Sequence, residues 1–265
     1  MTIVFAIANQ KGGVGKTTTS VNLAASLGLM NRQVLLIDLD PQGNATMGSG
    51  LEKKELENSI YDVLIGEKGA DESIVRAEAA GYDLLGANSD LIGAEIELLD
   101  LDRREYRLKE ALETIRDRYD FIVLDCPPAL GVLTLNGLVA SDSVIIPMQC
   151  EYYALEGLTA LLDTVDRISV SLNPRLKVEG LLRTMYDPRN SLSRDVSLHL
   201  IDHFGEAVYR TIVPKNVRLA EAPSYGVPVH FYDKYSRGAK AYLALAGEVL
   251  NRHPEAEQRE SINGY

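Results

Sequence analysis

The stretch 7-IANQKGGVGKTTTS-20 restricts the possible folds more than any other part of the chain. An apolar run of strand length over residues 3–8 leads into glycines at 12, 13 and 15, and a helix-periodic segment follows over 16–30. In that setting Gly12, Gly13, Val14 and Gly15 let the backbone turn tightly with successive N–H groups facing inward, and the start of the helix adds the positive end of its dipole. Such a loop cradles phosphate. Lys16 is placed to reach the β- and γ-phosphates of a nucleotide, and Thr17, with Thr18 beside it in the first helical turn, is placed to ligate Mg²⁺. One feature departs from the usual pattern G-x-x-x-x-G-K-[ST]: Gln10 stands where the first glycine should be, and a second lysine, Lys11, follows it.

The alternation of apolar strand and amphipathic helix then repeats. Strands are predicted at 33–38, 82–87, 120–125, 143–148 and 177–186, and helices over 103–118, 156–172, 193–204 and 236–250. Continuous apolar strands of this kind are buried on both faces, so the fold class is α/β, a mostly parallel twisted sheet with helices on both sides. The acidic, weakly periodic stretch 51–102 is expected to hold small helices. One domain is predicted over 1–253, with a flexible carboxy-terminal tail over 254–265. No secretory leader and no membrane-spanning run is read from the 265 residues, which points to the cytoplasm. Cys126 and Cys150 have no metal-ligand spacing and read as buried thiols.

Three carboxylates stand where parallel sheets place their ligands, beyond the carboxyl ends of strands. Asp125 closes an apolar strand, the position of a residue that holds Mg²⁺ or its water shell, while Asp38 and Asp40 close another and enter the loop after it. The formal charge of −11 opposes nucleic-acid binding. Its distribution qualifies that, because residues 1–169 hold 14 Lys/Arg against 27 Asp/Glu, whereas residues 170–250 hold 11 against 8.

The string 11-KGGVGKTT-18 resembles the deviant Walker motif of the ParA/Soj/MinD group of P-loop NTPases. The likeness continues through 35-LLIDLDPQGNAT-46 and 122-IVLDCPP-128 to 214-PKNVRLAEAPSYGVP-228, closest in kind to ParA and Soj. The resemblance implies a Mg²⁺-dependent ATP hydrolase that pairs into an ATP-sandwich homodimer, with Lys11 reaching the nucleotide of the second subunit. It implies that Asp40 orients and polarises the attacking water, that Asp38 supports the hydration sphere of the metal, and that Pro214 and Asn216 lie against adenine, Asn216 offering a donor and an acceptor. It further implies non-specific binding of double-stranded DNA through Arg189 and Arg218, with Lys215, Arg194, Lys234, Arg237 and Lys240 as additions to the patch. A ParB-type centromere-binding partner stimulates hydrolysis in this reading, and the protein is nucleoid-associated. Because the phosphate loop begins at residue 9, an amino-terminal operator-binding domain is not expected.

Three other readings share the loop. A MinD-like membrane-cycling ATPase uses a basic amphipathic carboxy-terminal helix, whereas the tail here is acidic, so stable membrane association is not expected. An iron–sulfur reductase or scaffold bridges its cluster with cysteines whose placement Cys126 and Cys150 do not match. A kinase or regulator on the same scaffold would need an acceptor feature, and a lone Tyr265 is not a tyrosine cluster.

Overall fold

A computed structural model describes residues 1–151 and 154–254, the side chains of residues 154 and 156 excepted. Among the described residues the strands are β1 (Ile3–Ile7), β2 (Val34–Asp38), β3 (Val75–Ala77), β4 (Tyr82–Leu85), β5 (Phe121–Asp125), β6 (Ser143–Gln149), β7 (Lys177–Tyr186) and β8 (Val208–Pro214). They form one sheet in the order β3-β4-β2-β5-β1-β6-β7-β8. Every neighbouring pair is parallel except β3 with β4.

The continuous apolar strands follow from having two cores. Along β1, Val4 and Ala6 enter one core and Ile3, Phe5 and Ile7 the other; along β2, Leu35 and Ile37 alternate with Val34 and Leu36 in the same way. Polar residues have no solvated face to occupy on these strands. The helices Lys16–Leu29 and Arg237–Arg252 cover one face through Leu23, Leu27, Tyr242, Leu245 and Val249. The helices Arg107–Glu113, Val132–Ala140, Ala154–Ser171 and Ser191–Phe204 cover the other.

Several elements depart from the sequence pattern. The helix expected over 103–118 is interrupted: 3₁₀ turns at Arg104–Tyr106 and Arg116–Arg118 flank a short α-helix. Asn136 of the neighbouring helix explains the break, since its side-chain oxygen accepts from the Leu108 N–H at 3.1 Å and its amide donates to the Arg104 carbonyl at 2.8 Å. Backbone groups that would continue the helix are satisfied from outside it. The strands β3 and β8 and the helix Val132–Ala140 were not foreseen. Apart from Pro254, the predicted tail lies outside the described residues, as does Tyr265.

Between Val144 and Ile145 of β6 the register against β7 jumps, so that Val178 and Gly180 are paired and Glu179 is bulged. The bulge turns Glu179 into the protein, where its carboxylate accepts from the Ser143 hydroxyl and lies 3.0 Å from His253 Nε2. Burial opposes the ionised form of Glu179, but the His253 contact and the Ser143 hydroxyl outweigh it and hold the carboxyl below its ordinary range. Next to the bulge, a methyl group on Gly180 would sit 2.5 Å from the ring of the buried Tyr209. Gly180→Ala is therefore expected to cost about 1–3 kcal/mol through overpacking. A urea melt matching the parent would show that the ring yields.

Candidate active site

The phosphate loop occupies the carboxyl end of β1, the central point from which the chain runs to β2 on one side and later to β6 on the other. Gly13 and Gly15 have φ of 73° and 87°, backbone conformations that side chains with a Cβ rarely adopt. Gly15 is also the N-cap of the Lys16–Leu29 helix, and neither a side-chain cap nor an acidic residue occupies its first turn. The amides there are open to an anion. The loop is held from β7 and β6 and by itself: Thr184 of β7 donates its hydroxyl to the Val14 carbonyl at 2.7 Å, Asn9 donates to the Pro147 carbonyl of β6 at 2.8 Å, and within the loop the Lys11 N–H donates to Asn9 Oδ1 at 2.9 Å.

The two lysines point in opposite senses. Lys16 is buried, at 7% exposure, and its ammonium donates to the Lys11 carbonyl at 3.3 Å. Burial lowers its pKa, while the charges of Asp125 and Asp40 oppose the shift. An anionic phosphate in the loop would compensate this desolvated cation. The side chain of Lys11 is 43% exposed and extends to Glu151, with Nζ 2.5 Å from Oε2.

Asp38 and Asp125 lie side by side at the ends of β2 and β5, in register and fully buried. Asp38 is engaged: Oδ2 accepts from the N–H and hydroxyl of Thr46, both at 2.8 Å, and Oδ1 from the Asp40 N–H at 3.1 Å. It thereby fixes the loop that carries Asp40. Asp125 Oδ1 accepts from the Ser20 hydroxyl at 2.8 Å, whereas the buried Oδ2 makes no hydrogen bond of good geometry. Burial raises the pKa of both carboxyls; the charge of Asp38 adds to the rise at Asp125, and the Ser20 and Thr17 hydroxyls oppose it. An unsatisfied buried carboxylate oxygen beside the phosphate loop, with a threonine hydroxyl near it, fits a Mg²⁺ ion that takes most of its remaining ligands from phosphate and water. Among the described residues no three His, Cys, Asp or Glu side chains form a metal cage.

Asp40 is half-buried in the turn 40-DPQG-43, where its Oδ1 accepts from the Gln42 N–H at 2.9 Å and its carbonyl from the Gly43 N–H at 2.8 Å. On the other side of the loop a cavity of about 320 Å³ is bounded by Gly15, Thr18, Met185, Pro214, Asn216 and Tyr242, among others. Its size and apolar walls suit a purine. Asn216 caps the helix Val217–Glu221, its side-chain oxygen accepting from Leu219 N–H at 3.3 Å. The acceptor is thus engaged locally, and the amide N–H groups are what it has to offer a base. A second cavity, of about 400 Å³, opens beyond Thr17 and Thr18 toward Met47 and Pro223.

Both candidate arginines are exposed, and each already has a carboxylate partner. Arg189 makes two contacts to Asp187, at 3.0 and 2.8 Å, and holds that carboxyl down to about 2. Arg218 lies 2.7 Å from Glu221, 3.4 Å from Asp233 and over the Tyr232 ring. Cys126 and Cys150 are both buried, and burial raises both thiols, Cys150 to about 11. Thr184, Glu151, Ser20 and Thr46 carry no sequence signature of their own. Thr184 and Glu151 meet the loop only through strands distant in sequence, whereas Ser20 reaches Asp125 from the helix after the loop and Thr46 reaches Asp38 from the short helix that follows it.

Comparison with known proteins agrees with this geometry. A family model described as an AAA domain matches residues 2–178. The chain is 52% identical to the sporulation initiation inhibitor protein Soj of Bacillus subtilis, over 93% of this chain and 97% of that protein. It is 50% identical to the chromosome partitioning protein ParA of Caulobacter vibrioides, over 97% of each. A Mycobacterium smegmatis structure described as cobyrinic acid a,c-diamide synthase with bound ADP and magnesium superposes with a TM-score of 0.84 at 41% identity, covering 98% of both chains. With its deviant phosphate loop, its parallel sheet and these full-length likenesses, the chain belongs to the ParA/Soj family of P-loop ATPases and uses ATP with Mg²⁺.

Proposed function

We propose that this chain is a DNA-partition ATPase that closes into a dimer on ATP, and that residues 1–253 act as its single ATPase unit. The observation that carries this reading is the division of labour between the two lysines, one buried in the loop and one turned out to the surface. A cation held at the rim cannot add to its own loop what Lys16 already supplies, but it suits the triphosphate of a facing copy. Lys11 would leave Glu151 and neutralise that γ-phosphate. The name of the M. smegmatis neighbour suggests amide transfer, yet the two buried, raised thiols here offer no thiolate to release ammonia from glutamine.

Within the site, the loop amides and Lys16 would hold the phosphates, Thr17 and Asp125 the Mg²⁺, and Pro214 and the Asn216 amide the adenine. The metal, when bound, offsets charge on the β- and γ-oxygens. Asp38 would act through position, holding the Asp40 turn and the space around the metal's waters, and Asp40 would orient the attacking water. Asp125→Asn separates burial from chemistry. It keeps the Ser20 contact and removes a carboxyl whose ionised form burial disfavours, so the nucleotide-free chain is expected to gain about 1–3 kcal/mol in stability while Mg²⁺-dependent phosphate release falls by about 10²-fold or more. Thermal unfolding beside a phosphate-release assay checks both, and a destabilised yet active variant would contradict the assignment.

The dimer would bind double-stranded DNA without sequence preference and release it when a ParB-type partner stimulates hydrolysis, placing the protein on the nucleoid. Among the described residues no helix is long and apolar enough to cross a membrane. Arg189 and Arg218 stand beyond β7 and β8, neighbours in the sheet, so both leave its carboxyl edge beside the nucleotide loop. Their carboxylate partners dilute the positive field of a single chain, and two copies double the sites. Binding should therefore require ATP and fall steeply with salt. Measured on duplex DNA with ATP, ADP or no nucleotide, Arg189→Ala with Arg218→Ala is expected to weaken binding by about 10-fold or more and flatten the salt slope. Binding that ignores nucleotide in the parent would count against the reading.

A further inference from the structure

The string 199-HLIDH-203 takes no part in the nucleotide site, yet it carries two of the chain's four histidines. Both stand in the second half of the helix Ser191–Phe204, four residues apart. At that spacing two side chains leave the same helix face one turn from each other, with about 5–6 Å between Cβ atoms. The separation lets two imidazoles close on one metal ion, as the paired histidines of an H-E-x-x-H helix do. Both rings are exposed, and among the described residues neither makes a hydrogen bond or an ion pair. They are free to ligate.

The surroundings favour a cation. His199, Asp202 and His203 border one cavity of about 480 Å³, faced across it by Leu155 and Leu158 of the helix Ala154–Ser171. Among the described residues no lysine or arginine lines this cavity to repel positive charge. His203 belongs to the last turn of its helix, where the carbonyl end of the dipole attracts it. The His203 ring also meets the Phe204 ring edge to face, centroids 4.7 Å apart at 80°, which restricts how the imidazole turns. Asp202 is exposed on the same wall and has no basic partner among the described residues.

We propose that His199 and His203 bind one divalent transition metal of the class that favours imidazole, Zn²⁺, Cu²⁺ or Ni²⁺, through one nitrogen each, with water in the remaining positions and the Asp202 carboxylate accepting a hydrogen bond from one of those waters. Nitrogen donors set this site apart from the oxygen ligands that suit Mg²⁺ beside the phosphate loop. Among the described residues no third His, Cys, Asp or Glu completes a cage, so positions stay open to water and the ion exchanges more readily than a structural zinc. A bound ion ties two successive turns of the helix together. The site owes nothing to ATP, to pairing or to DNA.

The test is equilibrium dialysis of the nucleotide-free full chain against Zn²⁺, Ni²⁺ or Cu²⁺ in excess Mg²⁺, followed by metal analysis. One equivalent of each should bind, Cu²⁺ most tightly, and Mg²⁺ should not compete. His199→Ala and His203→Ala should each weaken Zn²⁺ binding at least about 10-fold, because the second imidazole acts at high effective concentration only when the first already holds the ion. Both positions are exposed, so each variant should melt in EDTA as the parent does, and Zn²⁺ should raise the melting temperature of the parent alone. Electron paramagnetic resonance of the Cu²⁺-loaded parent should show two imidazole nitrogens, and of either variant one. The proposal is overturned if the parent retains no transition metal, if Mg²⁺ displaces it, if the parent spectrum shows a single nitrogen, or if the chain carrying both substitutions binds Zn²⁺ as the parent does, since His230 and His253 or a carboxylate would then hold the ion.

Discussion

Asp40→Ala should bind ATP as the parent does, pair as the parent does, and release phosphate at least about 10²-fold more slowly. The expectation follows from position and chemistry together. Asp40 sits on a turn whose backbone is fixed by Asp38 below it and by its own contact to Gln42. Among the described residues its second oxygen makes no hydrogen bond, and it remains half-exposed and close enough to Lys16 for its charge to oppose the lowering of that lysine's pKa by burial. A carboxylate so placed can hold a water in line with a γ-phosphate, and phosphoryl transfer asks little more of the protein than that placement and charge compensation. Loss of the side chain leaves the loop amides, Lys16, Thr17 and the purine cavity untouched. Titration with a fluorescent ATP analogue should therefore give an affinity within a few-fold of the parent while single-turnover phosphate release collapses. Asp40→Asn, which keeps the Gln42 contact but not the charge, should be equally slow, and full hydrolysis by either variant would move the water-positioning role elsewhere.

Much of this site is legible in the sequence because its parts are local. A glycine cluster between a strand and a helix must fold as an anion loop whatever surrounds it, and aspartates that end buried strands must appear at the carboxyl edge of the sheet. The central strands were equally plain, since two cores leave every side chain of β1, β2 and β5 buried. What could not be read depends on contacts between distant segments. Thr184 reaches Val14 only because β7 lies two strands from β1, and Asn136 breaks the helix over 103–118 only because two helices pack side by side. The edge strand β8 is hidden by its own composition, with Arg210 exposed and Thr211 and Ile212 half-buried, so neither alternation nor a continuous apolar run marks it. The cap formed by Asn216 shows the same limit, since one residue type serves helix capping and base recognition alike.

Lys11→Ala should separate nucleotide binding from association, and here the geometry is unusually favourable. The Lys16 ammonium contacts the backbone carbonyl of residue 11, not its side chain, so the substitution leaves the inner lysine its partner. The ion pair it removes, Lys11 to Glu151, has both side chains more than two-fifths exposed and is worth at most about 1 kcal/mol. Neither folding nor ATP affinity should suffer. In the paired state, by contrast, the same ammonium would meet a triphosphate in a cleft closed to water, where an unpaired charge costs several kcal/mol. Association is therefore expected to weaken by about 10²-fold or more, and turnover and DNA binding should fall with it. The decisive measurement is sedimentation velocity of the parent and Lys11→Ala chains with ATP, in the presence of Mg²⁺ and on the Asp40→Ala background so that the triphosphate persists. A dimer is expected with the parent lysine and a monomer that still holds ATP with the alanine; ATP-induced dimers of equal strength from both chains would rule out a Lys11 contact across the pair.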